Sequence, residues 1–282
     1  MVLSGGGPAS SAWQLGLLTG MADAGLEVRN ADLLVGTSSG SRVALHLASG
    51  VPHDVALERR LRPGPPSTER AAVVDWVRLR EDLSRARASA GGAADILRRV
   101  GTLALTASAG RAGASRRAIV AAQLPMETWP EQRVLIPAIC AETGERRVFD
   151  RDSGIEVVDA VIATTASFGM PLLLFHGEHY FDGGYYSSDN ADLATGYDRV
   201  MILSLIRPPG VAFVPLVSLE EAVANLRDSG SLVEVILPDE NTLAAFAAVG
   251  GVMNPSISAT AAMAGRVQGV SCANDRLVSF WQ

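Results

Sequence analysis

The pentapeptide Gly36-Thr37-Ser38-Ser39-Gly40 follows an apolar run, Leu33-Leu34-Val35, and leads into Ser41-Arg42-Val43-Ala44-Leu45. A G-x-S-x-G between a strand-like run and a helix-like run is the pattern of a sharp strand-to-helix turn. The turn is so tight that the positions around the serine have almost no room for side chains, which is why glycines bracket it. Such a turn lifts the serine hydroxyl clear of the sheet edge. It also aims the helix N-terminus at the reacting atom, where its partial positive charge favours a developing oxyanion. Few folds hold this geometry, and a parallel α/β sheet is the first of them.

The rest of the chain repeats that grammar. Val2-Leu3 reads as a short strand running into Ser4-Gly5-Gly6-Gly7, and 12–24 reads as an amphipathic helix with Trp13, Leu17 and Leu18 on one side. Strand, Gly-rich turn, helix, strand, turn, helix describes a parallel sheet with crossover helices. Later strands are expected at 133–141, with 147–150 as a hairpin partner, and at 199–206 and 232–237. The stretch 171–181 reads as a loop and a short strand. Helices are expected at 157–163, 219–227, 243–249 and 259–269.

The segment 52–125 differs. It contains Pro63-Gly64-Pro65-Pro66 and helical stretches at 71–88, 93–105 and 115–124. Ten arginines fall between Arg70 and Arg117, against the acids Glu69, Asp75, Glu81, Asp82 and Asp95. Arg87, Arg98, Arg99, Arg116 and Arg117 alternate with apolar residues. A basic amphipathic insertion can serve as a lid or rest on an anionic membrane face. Ordinary surface helices carry the same pattern.

Composition narrows the chemistry. The chain of 282 residues is 48% hydrophobic, enough for a sizeable core. A formal charge of −6 argues against general nucleic-acid binding. All 24 basic residues are arginine, which removes P-loops, pyridoxal Schiff bases and Ser-Lys hydrolases, because each needs a lysine. Cys140 and Cys272 are too few for a disulfide scaffold or a zinc site. The N-terminus lacks a basic, long-apolar leader, and no apolar run reaches about 18 residues. The expectation is a cytoplasmic protein, with peripheral membrane contact as the option the arginines leave open. No feature specifies an oligomer.

A catalytic serine needs a base and an oxyanion hole. Gly5-Gly6-Gly7 ends the first strand just before a helix, so its N–H groups are uncovered and can turn toward one point. A bare tight turn is the plain alternative. A dinucleotide fingerprint is another, but its third glycine is Ser10 here, and the second strand ends in Gly36 where a ribose-binding acid belongs. No cofactor is expected. None of the histidines suits the base. His46 lies eight positions past Ser38 within the next helix, His53 follows it, and about a hundred residues come after His179. His176 and His179 lack a third metal ligand, so no metal is expected. Asp182 does suit the role. It ends the apolar run Tyr180-Phe181 and precedes Gly183-Gly184, which let the loop pass close to another backbone. A carboxylate beside a serine can take its proton directly.

Three features thus stand in order: Gly5-Gly6-Gly7, Gly36-Thr37-Ser38-Ser39-Gly40, and Asp182-Gly183-Gly184. Together they resemble the patatin-like phospholipase family, whose members use a Ser-Asp dyad. The stretch from Ala163 to Pro171 is similar to the Ala/Ser-rich run before the family's D-G-G, and Asn190 to the polar helix start after it. The resemblance extends from Met1 to about Ile206 and is weak over the Arg-rich part. It implies a three-layer α/β/α fold with a mainly parallel central sheet, as a single domain over 1–282 with a helical insertion at 52–125. It implies Ser38 as nucleophile and Asp182 as base. The oxyanion hole would come from the N–H groups of Gly6 and Gly7 with help from Gly5 and Ser39, and Gly36 and Gly40 would frame the elbow. Where relatives often place Arg or Lys two residues after the glycines, this chain has Ala9 after Pro8. The implied activity is hydrolysis of lipid acyl esters. Acyl transfer or thioester cleavage on the same dyad, and a non-catalytic lipid-binding scaffold, are the competing readings.

Overall fold

The structure is a computed structural model and describes residues 1–61, 75–88, 91–109, 113–205, 215–251 and 256–282. The Pro63-Gly64-Pro65-Pro66 run, Arg70, Arg111, residues 71–74 of the expected helix and the last residue of the 199–206 strand lie outside the described residues.

β1 (Val2–Leu3) leads into α1 (Gly7–Asp23), and β2 (Leu33–Gly36) into α2 (Gly40–Ala48). Four helices follow: α3 (His53–Leu61), α4 (Trp76–Ala88), α5 (Ala93–Ser108) and α6 (Ala114–Gln123). The sheet resumes with the hairpin β3 (Arg133–Cys140) and β4 (Arg146–Phe149). After α7 (Val157–Thr164) comes a second hairpin, β5 (Leu173–Phe175) and β6 (Glu178–Asp182). β7 (Arg199–Leu203), α8 (Leu219–Asp228), β8 (Leu232–Ile236), α9 (Glu240–Ala248), α10 (Ile257–Cys272) and α11 (Asp275–Trp281) complete the order. The sequence pattern gives no sign of α3 or α11, and the stretch expected to hold one short strand holds the β5–β6 pair. Short polar side chains start three of the later helices. Ser218, Asp239 and Asn274 accept the N–H groups of Glu221, Thr242 and Leu277.

The strands form one sheet in the order β5-β6-β3-β2-β1-β7-β8, with β4 also on β3. β3 through β8 by way of β2, β1 and β7 are parallel; the β4, β5 and β6 pairings are antiparallel. β3 is the switch between the two halves. Its first residues run beside β2, ending at Val35↔Leu135, and its later ones pair with β6, with Ala138 opposite Asp182. The end of β6 is therefore delivered close to the point where β2 stops.

Alternation along the strands builds two cores. Leu3, Leu34, Val134, Ile136, Met201 and Leu203 face α1, α2, α7 and α10. Val2, Leu33, Val35, Leu135, Val200 and Ile202 face α8 and Ala191. Helices on both faces make three layers. α4 and α5 pack Leu79, Leu83, Leu97 and Val100 on Ile139, Ala141 and Phe181. The Arg-rich helices are thus fastened to the antiparallel half of the sheet. Their arginines are largely paired: Arg85 with Asp82, Arg98 and Arg99 with Asp95, Arg117 with Asp159 and Glu156.

α1 departs from the amphipathic expectation. It begins at Gly7, with Pro8 in its first turn, and is buried on every face from Ala9 to Met21. The reason is α10, which crosses it at backbone distance. A Cβ on Gly16 would sit 2.1 Å from the Ala262 carbonyl oxygen, and one on Gly265 2.3 Å from that of Trp13. Gly20 and Gly269 repeat the pattern one turn on.

Candidate active site

The elbow is built by backbone contact. Thr37 N–H extends the β1 pairing to the Leu3 carbonyl at 3.1 Å. A Cβ on Gly40 would lie 2.2 Å from that same oxygen, and one on Gly36 2.5 Å from Ser41 Cα, so neither position admits a side chain. Between them Ser38 takes a left-handed conformation, φ 51°, which costs a non-glycine residue about 1–2 kcal/mol. Three bonds hold it there. Its N–H donates to Thr164 Oγ1 at 2.9 Å, and its carbonyl accepts from Ser41 N–H at 3.0 Å and Ser41 Oγ at 2.6 Å. Thr164 is fully buried and its own hydroxyl donates a hydrogen bond to the Pro137 carbonyl at 2.6 Å.

The strain has a result. Ser38 Oγ donates to Asp182 Oδ2 at 2.7 Å, across 144 residues of sequence. The other carboxylate oxygen accepts Gly184 N–H at 2.8 Å, which fixes the plane of the group. Gly183 allows the approach, since a Cβ there would meet the Pro137 carbonyl oxygen at 2.4 Å. Both side chains are more than nine-tenths buried.

The glycine loop lies against this pair. A Cβ on Gly5 would come within 3.1 Å of Ser38 Cβ. Gly5 N–H is already bonded to the Ser188 carbonyl at 2.8 Å, which corrects the expectation that it helps an oxyanion: its part is to leave room. Gly6 and Gly7 have φ 137° and 69°, at the start of α1. Among the described residues no hydrogen bond engages the N–H groups of Gly6, Gly7 or Ser39. Ser39 caps α2, with its hydroxyl buried and unpartnered among the described residues.

The histidines are elsewhere. His46 Nε2 lies 3.2 Å from His53 Nδ1, and His53 Nε2 3.3 Å from Glu27. Burial, with the nearby His53 and Arg29, drives His46 down to about 3. Burial and Arg29 also lower His53. His179 bonds Glu142 at 2.7 Å and His176 stacks on Phe175. A cavity of about 830 Å³ lies at the far end of the parallel strands, lined by Asn30, Asp32, Tyr197, Asp198 and Trp281, and includes neither Ser38 nor Asp182.

Thr164 and Ser188 escape sequence reasoning, because only the fold brings them to the elbow. Asn190 is present but differs from its expected use. It precedes a 3-10 turn, Ala191–Ala194, in a left-handed conformation, and its side chain makes no cap.

Among the described residues no helix is long and apolar enough to cross a membrane. Among curated proteins no sequence matches. The crystal structure of the type III effector protein ExoU aligns with 95% of this chain and 51% of its own, at 14% identity and a TM-score of 0.39; this chain spans about half the length of that protein. A family model described as patatin-like phospholipase matches residues 1–195. That stretch contains the glycine loop, the elbow serine and the aspartate bonded to it, and the chain belongs to the patatin-like phospholipase family.

Proposed function

We propose that this chain is a serine acyl hydrolase that cleaves carboxylic ester bonds of lipids, with Ser38 as nucleophile and Asp182 as base. The observation that carries the reading is the buried 2.7 Å bond from Ser38 Oγ to Asp182 Oδ2. Family membership supports the substrate class. The unit is read as 1–282, because β1 pairs with β7 and α1 packs on α10, while the helices at 52–125 are an insertion.

The chemistry follows from the arrangement. Asp182 accepts the Ser38 proton as Oγ attacks the ester carbonyl carbon. The carbonyl oxygen takes up negative charge, which the N–H groups of Gly6, Gly7 and Ser39 and the α2 N-terminus stabilise. Collapse expels the alcohol, which takes the proton from Asp182. Water then enters, gives its proton to Asp182 and attacks the acyl-enzyme. The acid leaves and Ser38 recovers its proton. Pro8 donates no N–H, so the glycine loop's share of the hole ends at Gly7.

The test is hydrolysis of p-nitrophenyl esters of short to long acyl chain by wild type, Ser38→Ala and Asp182→Asn. Each substitution is expected to lower kcat by at least about 10³-fold while the fold persists. Near-native turnover by Asp182→Asn would sink the dyad.

A further inference from the structure

The nucleophile and the base stand on separate loops, and hydrogen bonds from one side chain join the two loops. Asn190 is fully buried. Its Nδ2 donates to Thr37 Oγ1 at 3.1 Å, to the Gly183 carbonyl at 3.3 Å and to the Ser187 carbonyl at 2.7 Å. Thr37 is the neighbour of Ser38, and Gly183 the neighbour of Asp182. One amide nitrogen therefore holds both loops within a few ångströms of the reacting atoms.

The orientation of that amide is set from its other end. Arg146 Nη1 donates to Asn190 Oδ1 at 3.0 Å, and a guanidinium can only donate, so the oxygen must face it and the nitrogen must face the loops. Arg146 is itself fixed by Asp192, through two bonds at 2.8 and 2.5 Å, and by the ring of Tyr186, 4.3 Å from its centre. Asn190 N–H is held by Ser187 Oγ at 3.1 Å. The left-handed backbone, φ 49° and ψ 40°, is one that asparagine tolerates better than most residues.

We infer that Asn190 is a positioning residue that sets the separation of Ser38 and Asp182 by clamping Thr37 to Gly183. The inference rests on the dyad reading above. It touches neither substrate nor reacting atom, so its removal acts on the chemical step rather than on substrate binding. Thr37 also bonds the Asp189 carbonyl at 3.3 Å, so its hydroxyl joins the elbow to the same loop.

The experiment compares Asn190→Ala, Asn190→Asp, Thr37→Val and Thr37→Ser on a p-nitrophenyl ester, with folded protein quantified by near-UV circular dichroism. Asn190→Ala is expected to lower kcat about 10- to 100-fold with KM within about threefold, the pattern of a misplaced catalytic pair. Asn190→Asp keeps the Arg146 partner but turns an oxygen toward two carbonyls, and should fall with it. Thr37→Val should lose turnover and Thr37→Ser keep it. The double variant Asn190→Ala/Thr37→Val should lose no more than the worse single one. Unchanged kcat per folded molecule, a change confined to KM, or additive losses would each overturn the clamp. Should Asn190→Ala not fold, the Thr37 pair decides alone. Asp182→Asn run alongside separates the two readings: if it retains turnover the dyad fails, and if it is dead while Asn190→Ala is normal only the clamp fails.

Discussion

Replacing Thr164 by valine changes almost no volume and removes one oxygen. That oxygen accepts a hydrogen bond from Ser38 N–H at 2.9 Å and donates one to Pro137 O at 2.6 Å. Thr164 is fully buried and Ser38 is 8% exposed, so water cannot take over either role. An orphaned buried donor or acceptor costs about 1–3 kcal/mol, and partial relaxation brings the pair to roughly 2–4 kcal/mol. The relaxation has a direction. Without its acceptor, Ser38 N–H no longer anchors the left-handed turn, whose strain of about 1–2 kcal/mol then draws the residue toward ordinary backbone. Ser38 Oγ moves off Asp182, and a displacement near 1 Å costs about 10²-fold in rate. Thr164→Ser is the control: it keeps both bonds and loses one buried methyl, about 1 kcal/mol. Urea midpoints and ester kcat for both variants test this. If Thr164→Val stays within about 0.5 kcal/mol of wild type and about twofold in kcat, the anchoring argument is wrong.

Two further outcomes are expected. Gly265→Ala puts a methyl 2.3 Å from the Trp13 carbonyl and should cost about 3 kcal/mol or more, read as a lowered denaturant midpoint, whereas Gly230→Ala, with nothing near its Cβ, should cost only its backbone strain of about 1–2 kcal/mol. Because His46 falls to about 3 when folded, the unfolded chain binds its proton first; stability is therefore full above about pH 6.5 and is lost as pH falls toward 3. His46→Gln should flatten that loss in thermal melts between those limits, and an unchanged slope would remove His46 from it.

The glycines, the strand before the elbow and the D-G-G were legible in the sequence because each is a local requirement: a turn of given tightness admits few residues. The placement of Asp182 opposite Ala138 was not written locally. It depends on β3 changing partners midway, which no window of residues displays. The helical character of α1 was legible but not its burial, since its pattern reads as one apolar face. Gly16 and Gly20 make room for Ala262 and Arg266 of α10, far along the chain. Gly5 shows the reverse error. Its type suited an oxyanion donor, yet its N–H was claimed by Ser188, a residue placed there only by the fold.

The α1–α10 crossing also bears on how the chain comes to fold. The glycine loop, Ser38 and Asp182 have all been synthesised by residue 182, yet α1 then has only α2 and α3 beside it and lacks its main cover until residues 257–272 arrive, and β1 has only one of its two neighbours until β7. A nascent chain in that state exposes the glycine-lined face of α1 that α10 covers, and an open strand edge. Contacts of such long sequence separation close late and slowly. Ribosome-bound lengths ending before α10 should therefore be protease-sensitive throughout, including the half that carries every group needed for chemistry.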